Sequence, residues 1–552
     1  MTPKTLVTAA ALLFCGTLTA QDIYKVEALS GSDLNGTARY VGMGGAMSAL
    51  GADLSVMGTN PAGIGLYRRS DVAFSGGLTD QPNARQAFDI HRIRPSFDQA
   101  GFVYAWNLGD DAAVKYVNFG FNYQKRRNFK NYAEKLGGTT GGWSQTDLFQ
   151  QISSGFDLAD DYDRDGMLPI VNAAYDAQLS TLPGSSIVLP DEPGNEYRYA
   201  GPETYNLQRV TWGGIQQYDF NVAFNINDRF YAGLTAGFYN VNYHSALYYD
   251  EDMYFAGGDR YIISGDGALP YYYSNQEEKV TGTGFDLKLG FICRPFEDSS
   301  FRVGFSVATP IFFDLTQTGY VYFNSPFGAI SEGDPGYSPY ADYHDDYTEG
   351  SFMAGSFDYR IRTPWTVNLS MGGTVGSVLA LGAEYEVKAY KSCSVGYPSY
   401  DDYYWDSDTD TDYAMNDEVD THLKAQHILR LGAEAQLVPG FFVRAGYNYL
   451  SSPFRDGAHL NLFTSSPSYY ARTNTDYLNL GDTHRATFGL GYRGKHFYAD
   501  VAYQFQRQRG DLYPFATQEL DYPEGMAGAP DIAPAKVKLD RHNVLFTVGY
   551  KF

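Results

Sequence analysis

At the C-terminal end every second residue, from Val544 through Phe546, Val548 and Tyr550 to Phe552, is apolar, while Asn543, Thr547, Gly549 and Lys551 fill the gaps. A period of two is the signature of a strand with one oily and one polar face. The pattern recurs at Phe497, Ala499, Val501, Tyr503 and Phe505, at Ala486, Phe488, Leu490 and Tyr492, at Leu379 to Val387, and at Val117 to Tyr123. About fourteen such segments start near residues 71, 100, 114, 216, 229, 280, 300, 356, 377, 425, 440, 484, 496 and 541. No helix-period stretch competes with them.

Connections alternate in length. Short turns are expected at Gly109-Asp110, Asn227-Asp228, Pro295 to Asp298, Gly372-Gly373, Pro439-Gly440 and Gly494-Lys495. Long loops fall between them, near residues 79–99, 127–215, 250–279, 313–355, 391–424, 451–483 and 508–540. A water-soluble sandwich has no reason to sort its loops this way, whereas an outer-membrane barrel has short turns at one end and long loops at the other.

Composition decides which medium each face meets. The polar face is rich in Gly, Asn, Thr and Gln, with scattered Arg430, Arg444, Arg485, Glu434 and Asp500, where a solvated face would carry mostly Lys and Glu. That suits a crowded lumen, and puts the oily face on lipid. Tyr (48), Phe (36) and Trp (5) bring the aromatic share to 16 %, in keeping with two membrane interfaces to anchor, while a mean hydropathy of −0.34 excludes a helical membrane protein. With 41 basic and 64 acidic residues the net charge is −23, which excludes nucleic acid as a partner. The fold class is therefore all-β: a transmembrane up-and-down barrel of about fourteen antiparallel strands over residues 71–552. Its edges must close, because unpaired backbone groups in hydrocarbon each cost several kcal/mol.

Residues 1–20 have the order of a secretory signal, with Lys4, an apolar run from Leu6 to Phe14, and small residues up to Ala20, after which cleavage is expected. Of the remaining thiols, Cys293 falls at a short turn and Cys393 at the base of a long loop. The membrane would separate them, so no disulfide is expected.

Residues 21–70 do not alternate. They contain Arg39-Tyr40-Val41-Gly42-Met43-Gly44-Gly45-Ala46-Met47-Ser48-Ala49-Leu50 and then Asn60-Pro61-Ala62-Gly63. Small residues let a backbone approach a wall closely, and Met fills irregular gaps. On these two stretches, the overall size and the terminal Tyr550-Lys551-Phe552, the chain resembles the FadL/TodX family of outer-membrane channels for long-chain fatty acids and aromatic hydrocarbons. The resemblance implies a hatch folded into the lumen, with Gly42, Gly44, Gly45, Asn60, Pro61 and Ala62 at hatch-motif positions. It also implies capture of a hydrophobic small molecule at the long loops, release sideways through a gap in the wall, contact with outer-membrane lipids of a Gram-negative bacterium, and a C-terminal Phe552 offered to the barrel-assembly machinery. Met43, Met47, Leu50, Leu54 and Met57 are the expected hatch contacts with cargo or wall; simple packing is the alternative for each. Here the longest loop is the second, so the position of the capture site does not carry over.

Asp161, Asp163 and Asp165, followed by Gly166, have the spacing of a calcium loop, although Asn172 stands where an EF-hand places its bidentate Glu. The alternative is a solvated acidic loop. No other cofactor is expected, and no H-E-x-x-H, G-x-S-x-G or C-x-x-C occurs, so the chain is not read as an enzyme. The expected function is passive transport of a hydrophobic small molecule, a long-chain fatty acid or similar lipid. The alternatives are a heme or porphyrin receptor, for which His91, His344, His422 and His459 lie in loops, a binding or secretion accessory, and an open porin.

Overall fold

The computed structural model describes residues 22–82, 93–109, 111–140, 143–153, 168–177, 188–191, 196–199, 202–253, 272–325, 348–376, 378–399, 409–462, 471–516 and 532–552. Its wall consists of β1 (Asp71–Asp80), β2 (Ile93–Asn107), β3 (Val114–Asn128, continued by Asn131–Thr139), β4 (Pro202–Ile226), β5 (Phe230–Met253), β6 (Tyr272–Cys293) and β7 (Arg302–Ala308, continued by Phe312–Ser325). It goes on through β8 (Thr348–Arg362, continued by Trp365–Val375), β9 (Leu379–Ala389, continued by Ser394–Pro398), β10 (Gln426–Val438), β11 (Phe441–Leu450), β12 (Tyr477–Arg493), β13 (Phe497–Tyr513) and β14 (Ala535–Lys538, continued by Arg541–Lys551). Each strand pairs antiparallel with the next, and β14 pairs with β1 from His542↔Asp80 to Lys551↔Asp71. Fourteen strands therefore close into a barrel.

Local chemistry sets the bends. Asn227 (φ 54) and Asp228 (φ 57) form the left-handed pair of a tight β4–β5 hairpin. Pro310 and Pro364 lack N–H donors and stand where β7 and β8 break and resume. The short turn expected at Gly372-Gly373 is not there: both lie inside β8, and the chain turns after Val375. The expected loop 127–215 also shrinks, because the continuation of β3 and the first half of β4 are strand.

Along β5 the two faces exchange character. From Phe230 to Phe238 the outward residues are Phe230, Leu234 and Phe238, and the inward ones Gly233, Thr235 and Gly237; beyond that, Asn240 and Asn242 point out while Tyr239, Val241, Tyr243, Leu247 and Tyr249 are buried. On β6 the outward face likewise passes from Phe291, Leu289, Leu287 and Phe285 to Thr283 and Glu277. The first stretch is made for lipid outside and polar filling inside, the second for water outside and an apolar core inside. Tyr123, Tyr218, Phe238, Phe285 and Phe312 stand in register across β3 to β7 at the changeover. Phe230 and Phe238, both about half exposed, are eight residues apart, roughly 27 Å along the strand. At a tilt of about 40° that is a height of about 21 Å, close to the ~25 Å apolar band of an outer-membrane barrel.

Candidate functional site

The lumen is filled by residues 22–70, with helix α1 among the apolar residues of the upper barrel and the stretch from Leu34 on at the level of the lipid band. Helix α1 (Ile23–Ser30) is capped by Asp22, whose side chain accepts from Lys25 N–H at 2.8 Å, and α2 (Ala38–Gly42) by Thr37. Turns at Leu54–Gly58 and Pro61–Leu66 are capped by Asp53 and Asn60. Thr37 Oγ1 donates to Asp53 and Thr37 N–H to Ser55 Oγ at 2.8 Å, which ties the segment to itself.

An irregular backbone sealed in a membrane must find its hydrogen bonds locally. The polar lumen supplies them. Asn118 Nδ2 donates to Ile64 O at 2.7 Å, Ser306 Oγ to Thr59 O at 2.7 Å, Thr487 Oγ1 to Gly42 O at 3.2 Å and Arg302 Nη1 to Leu50 O at 3.2 Å. Glu384 Oε1 accepts from Ser48 N–H at 2.6 Å, and Thr547 Oγ1 from Ala38 N–H at 2.7 Å. An ion pair locks it further, Arg39 chelating Glu434 at 2.9 and 3.0 Å, while within the wall Arg444 bridges Glu434 and Asp500, and Arg430 holds Glu386 at 2.8 Å. The segment thus touches the wall on nearly every side.

Glycine makes the approach close enough, and much of it comes from the wall rather than from residues 21–70. A Cβ at Gly233 of β5 would stand 2.5 Å from Pro61 O, one at Gly446 of β11 2.5 Å from Met43 C, and one at Gly372 2.9 Å from Leu50 Cγ. Gly372 is therefore a hatch contact and not a turn residue. Gly44 (φ +63) and Gly45 (φ +82) hold left-handed backbone that suits glycine, and Gly42 lies against Gly489. Asn60 Oδ1 accepts from Ala62 N–H at 3.1 Å, its Nδ2 reaches Phe291 O at 3.3 Å, and Pro61 packs on Gly233 and Gly290. Met43, Met47, Leu50, Leu54 and Met57 are buried in one apolar cluster between hatch and wall, and none of them lines either of the cavities described next.

Below α1 lies a polar cavity of ≈ 80 Å³ with Tyr40, Thr59, Lys288, Asn368, Lys388 and Arg430 among its walls. Such a space suits a few waters. Above it, in the apolar upper barrel, a second cavity of ≈ 110 Å³ is lined by Tyr24 and Ala28 of α1 and by Phe129, Tyr243, Phe454, Leu478, Leu480 and Leu539. The cations at its edge are neutralised: Arg127 pairs with Glu27 at 3.2 Å and Arg209 with Asp476 at 2.8 Å. Most of the exposed lining of this chamber is apolar.

The backbone ladder between β2 and β3 stops short beside the chamber. It runs only from Gln99↔Gln124 to Asn107↔Tyr116, and beyond Gln99 side chains keep the strands in contact, Phe97 stacking on Tyr123 at 5.3 Å and Lys125 Nζ donating to Ser96 Oγ at 2.7 Å. The hatch bridges them: Asp33 N–H donates to Arg126 O at 2.8 Å, Asp33 Oδ2 accepts from Asn128 N–H at 2.8 Å, and Asn35 Nδ2 reaches Asp98 Oδ1 and Lys125 O at 3.1 Å. On the β3 side of this break Arg127, and Phe129 just past the first part of the strand, line the chamber.

Helices α3 (Gln145–Ser153) and α4 (Pro169–Asp176) close the loop end, burying Leu148, Phe149, Ile152, Ile170 and Val171 against Tyr205, Tyr249, Tyr272 and Phe323 of the wall. Glu251 of β5, wholly buried beneath α3, accepts from Gln145 N–H at 2.7 Å, from Ser144 Oγ–H and from Tyr249 O–H at 2.8 Å. Desolvation pushes its carboxyl up to about 7. A further helix, α5 (Tyr413–His422), packs beside α1.

Asp161, Asp163 and Asp165 lie outside the described residues, as do His91 and His344. The structure brings His422 and His459 together, ring centroids 4.6 Å apart, with His422 Nε2 3.2 Å from Glu418. No group of three metal-binding side chains occurs among the described residues. Cys293 and Cys393 are both free thiols.

The chain is thus a closed fourteen-stranded barrel of the membrane-spanning kind, oily outside and plugged inside by its own N-terminal segment. Among solved structures the chain is similar to the CymD monoaromatic hydrocarbon channel (10 % identity, 94 % of this chain and 98 % of that one, TM-score 0.46). It is also similar to a Pseudomonas aeruginosa FadL homologue (13 %, 95 % and 99 %, 0.46) and to the Ralstonia pickettii toluene transporter TbuX (13 %, 94 % and 99 %, 0.45). At these values the likeness gives no residue a role. No family model and no curated protein matches.

Proposed function

We propose that the chain is a passive channel of a bacterial outer membrane that carries a hydrophobic small molecule from the loop end to the bilayer. The observation that carries this reading is the apolar chamber above the hatch, set beside the break between β2 and β3. Cargo moves by transfer of apolar surface between sites, worth about 0.8 kcal/mol per buried methylene, so no energy source is needed. The hatch denies water a straight path. Fatty acids are the cargo class favoured by the N-terminal motif. At ≈ 110 Å³ the chamber is smaller than the apolar cavity of about 150 Å³ that takes benzene, so in this conformation it suits one segment of an acyl chain at a time. A porphyrin is too large for it.

Mass spectrometry of lipids extracted from the purified protein tests the reading. A recurrent fatty acid or aromatic compound, lost in an Ala28→Trp variant whose barrel still resists detergent unfolding, is the expected result. A porphyrin, or equal ligand in the filled variant, would refute it.

A further inference from the structure

Three of the nine histidines stand on the outward face of the wall in one repeated arrangement. Tyr385 of β9 meets His427 of β10, Tyr447 of β11 meets His484 of β12, and Tyr503 of β13 meets His542 of β14, each through the phenol oxygen and Nδ1 at 2.7 Å. The ring centroids lie 6.0, 6.3 and 6.0 Å apart. Each histidine stands directly opposite the residue two beyond its tyrosine, Val387, Tyr449 and Phe505 in turn, so every pairing runs along the same diagonal of the ladder. Aromatic side chains reach across such diagonals. A geometry kept over six strands is a feature of the wall rather than of one local bend.

Height shows what the pairs face. His427 lies ten residues above Leu437 at the turn end, His484 eight above Tyr492 and His542 ten above Phe552, and all three lower residues are exposed. That is about 26–33 Å along the strands, or about 20–25 Å in height at a tilt of about 40°. Phe238 ends the apolar band of β5 at the same level. Below the histidines come the lipid-facing Leu429, Phe488 and Phe546. The three pairs thus continue, on β9 to β14, the boundary that aromatics mark on β3 to β7.

A phenol donates more readily than it accepts, and none of these tyrosines has a second acceptor among the described residues. With the phenol proton on Nδ1, each imidazole keeps its own N–H at Nε2. The bond from the tyrosine draws density from the ring and strengthens Nε2–H as a donor, which favours an anionic acceptor. Asp482, two residues from His484 on the same strand, is already held by Tyr449 O–H at 2.8 Å and Ser452 N–H at 2.7 Å. At the top of an apolar band the anions within reach belong to lipid headgroups. We propose that His427, His484 and His542, each aligned by its tyrosine, donate Nε2–H to phosphate groups of the leaflet at the loop end. These contacts fix the depth of the β9–β14 side of the barrel. They require only that the barrel sit in a membrane and are independent of the chamber and its cargo.

The test is solid-state magnetic resonance of the full-length protein, isotope-labelled at histidine nitrogen, in vesicles of phosphatidylethanolamine and phosphatidylglycerol, reading the dephasing of imidazole nitrogen by lipid phosphorus. Three Nε2 signals should dephase as nitrogens about 4 Å from phosphorus do, one hydrogen bond and one P–O bond away. Each is assigned by its loss in His427→Phe, His484→Phe or His542→Phe. His422, whose Nε2 lies 3.2 Å from Glu418 in the loop-end helix α5, should not dephase. Tyr503→Phe should at least halve the dephasing of His542 and leave the other two unchanged. In vesicles of a phosphate-free glycolipid, inorganic phosphate in the buffer should produce none. Absence of dephasing at the three rings, equal dephasing at His422, the same dephasing from free phosphate, or a Tyr503→Phe variant identical to the wild type would each overturn the proposal. These outward substitutions leave the ladder intact, and a heat-modifiable band on electrophoresis verifies the fold.

Discussion

Gly233 and Gly446 press on the hatch from β5 and β11, six strands apart in a ring of fourteen and so nearly opposite. Replacing both by Ala places a methyl 2.5 Å from Pro61 O on one side and 2.5 Å from Met43 C on the other, where ordinary contact begins at 3.4 Å. The Gly446 methyl would also stand 2.2 Å from Gly44 N, so the two sides must give by 3.4 − 2.5 = 0.9 Å and 3.4 − 2.2 = 1.2 Å, and neither can yield toward the other. Overpacking of this kind costs about 1–3 kcal/mol per site. Tearing the wall instead would strand backbone groups in hydrocarbon at several kcal/mol each, so the hatch is the partner that moves. In planar bilayers the wild type should conduct little, while the double variant shows frequent open events with unchanged heat-modifiable migration. Ala383→Val, on the lipid face of β9, should stay closed. A folded double variant that remains as tight as the wild type would refute the reasoning, and so would a double variant that fails to fold where a hatch-deleted barrel folds.

Other outcomes follow from the same contacts. Because burial holds the Glu251 carboxyl at about 7 against an ordinary 4.5, the closed lid favours its protonated form; closure is tightest below pH 4.5 and loses about 3 kcal/mol by the time the pH has passed 7. The hydrogen-exchange protection factors of residues 143–153, corrected for the base-catalysed intrinsic rate, should therefore fall between pH 5 and pH 8, and Glu251→Gln should flatten that fall. Asn60→Ala removes the cap on Ala62 and the bond to Phe291, a loss of about 1–2 kcal/mol that limited proteolysis should register as earlier release of the hatch. Asp33→Ala frees Asn128 N–H at the break in the wall, so uptake of a hydrophobic tracer should change while ion conductance does not. Equal shifts in both would show that the break is not a separate path.

What the sequence made legible depended on which solvent each strand end meets. Starts expected at 71, 114 and 541 coincide with β1, β3 and the main part of β14, and those at 229, 300, 377, 425, 440 and 496 fall within two residues. β2, β4, β6, β8 and β12, expected at 100, 216, 280, 356 and 484, begin earlier, at Ile93, Pro202, Tyr272, Thr348 and Tyr477. These five miss at the loop end, and on β4, β6 and β12 aromatics such as Tyr205, Tyr272 and Tyr477 are buried there, so a search for lipid-facing alternation stops short. The chamber was illegible for a related reason, since its lining comes from α1, β3, β5, β12 and residues flanking the strands, positions no local pattern connects. The hatch contacts were half legible. Glycines in residues 21–70 stood out, while Gly233, Gly372 and Gly446 read as ordinary polar-face or turn positions until the packed segment showed what they admit.

A plug that hydrogen-bonds to β3, β6, β7, β9, β12 and β14 alike cannot be threaded into a finished cylinder. Residues 22–70 come first in the chain, yet their partners extend to Thr547, so they must wait, loosely held, while the sheet curls around them. The seam between β1 and β14 is then both the last ladder to zip and the moment of enclosure. Biogenesis and sealing become one event, and a mutation at that seam would release leaky barrels rather than empty ones.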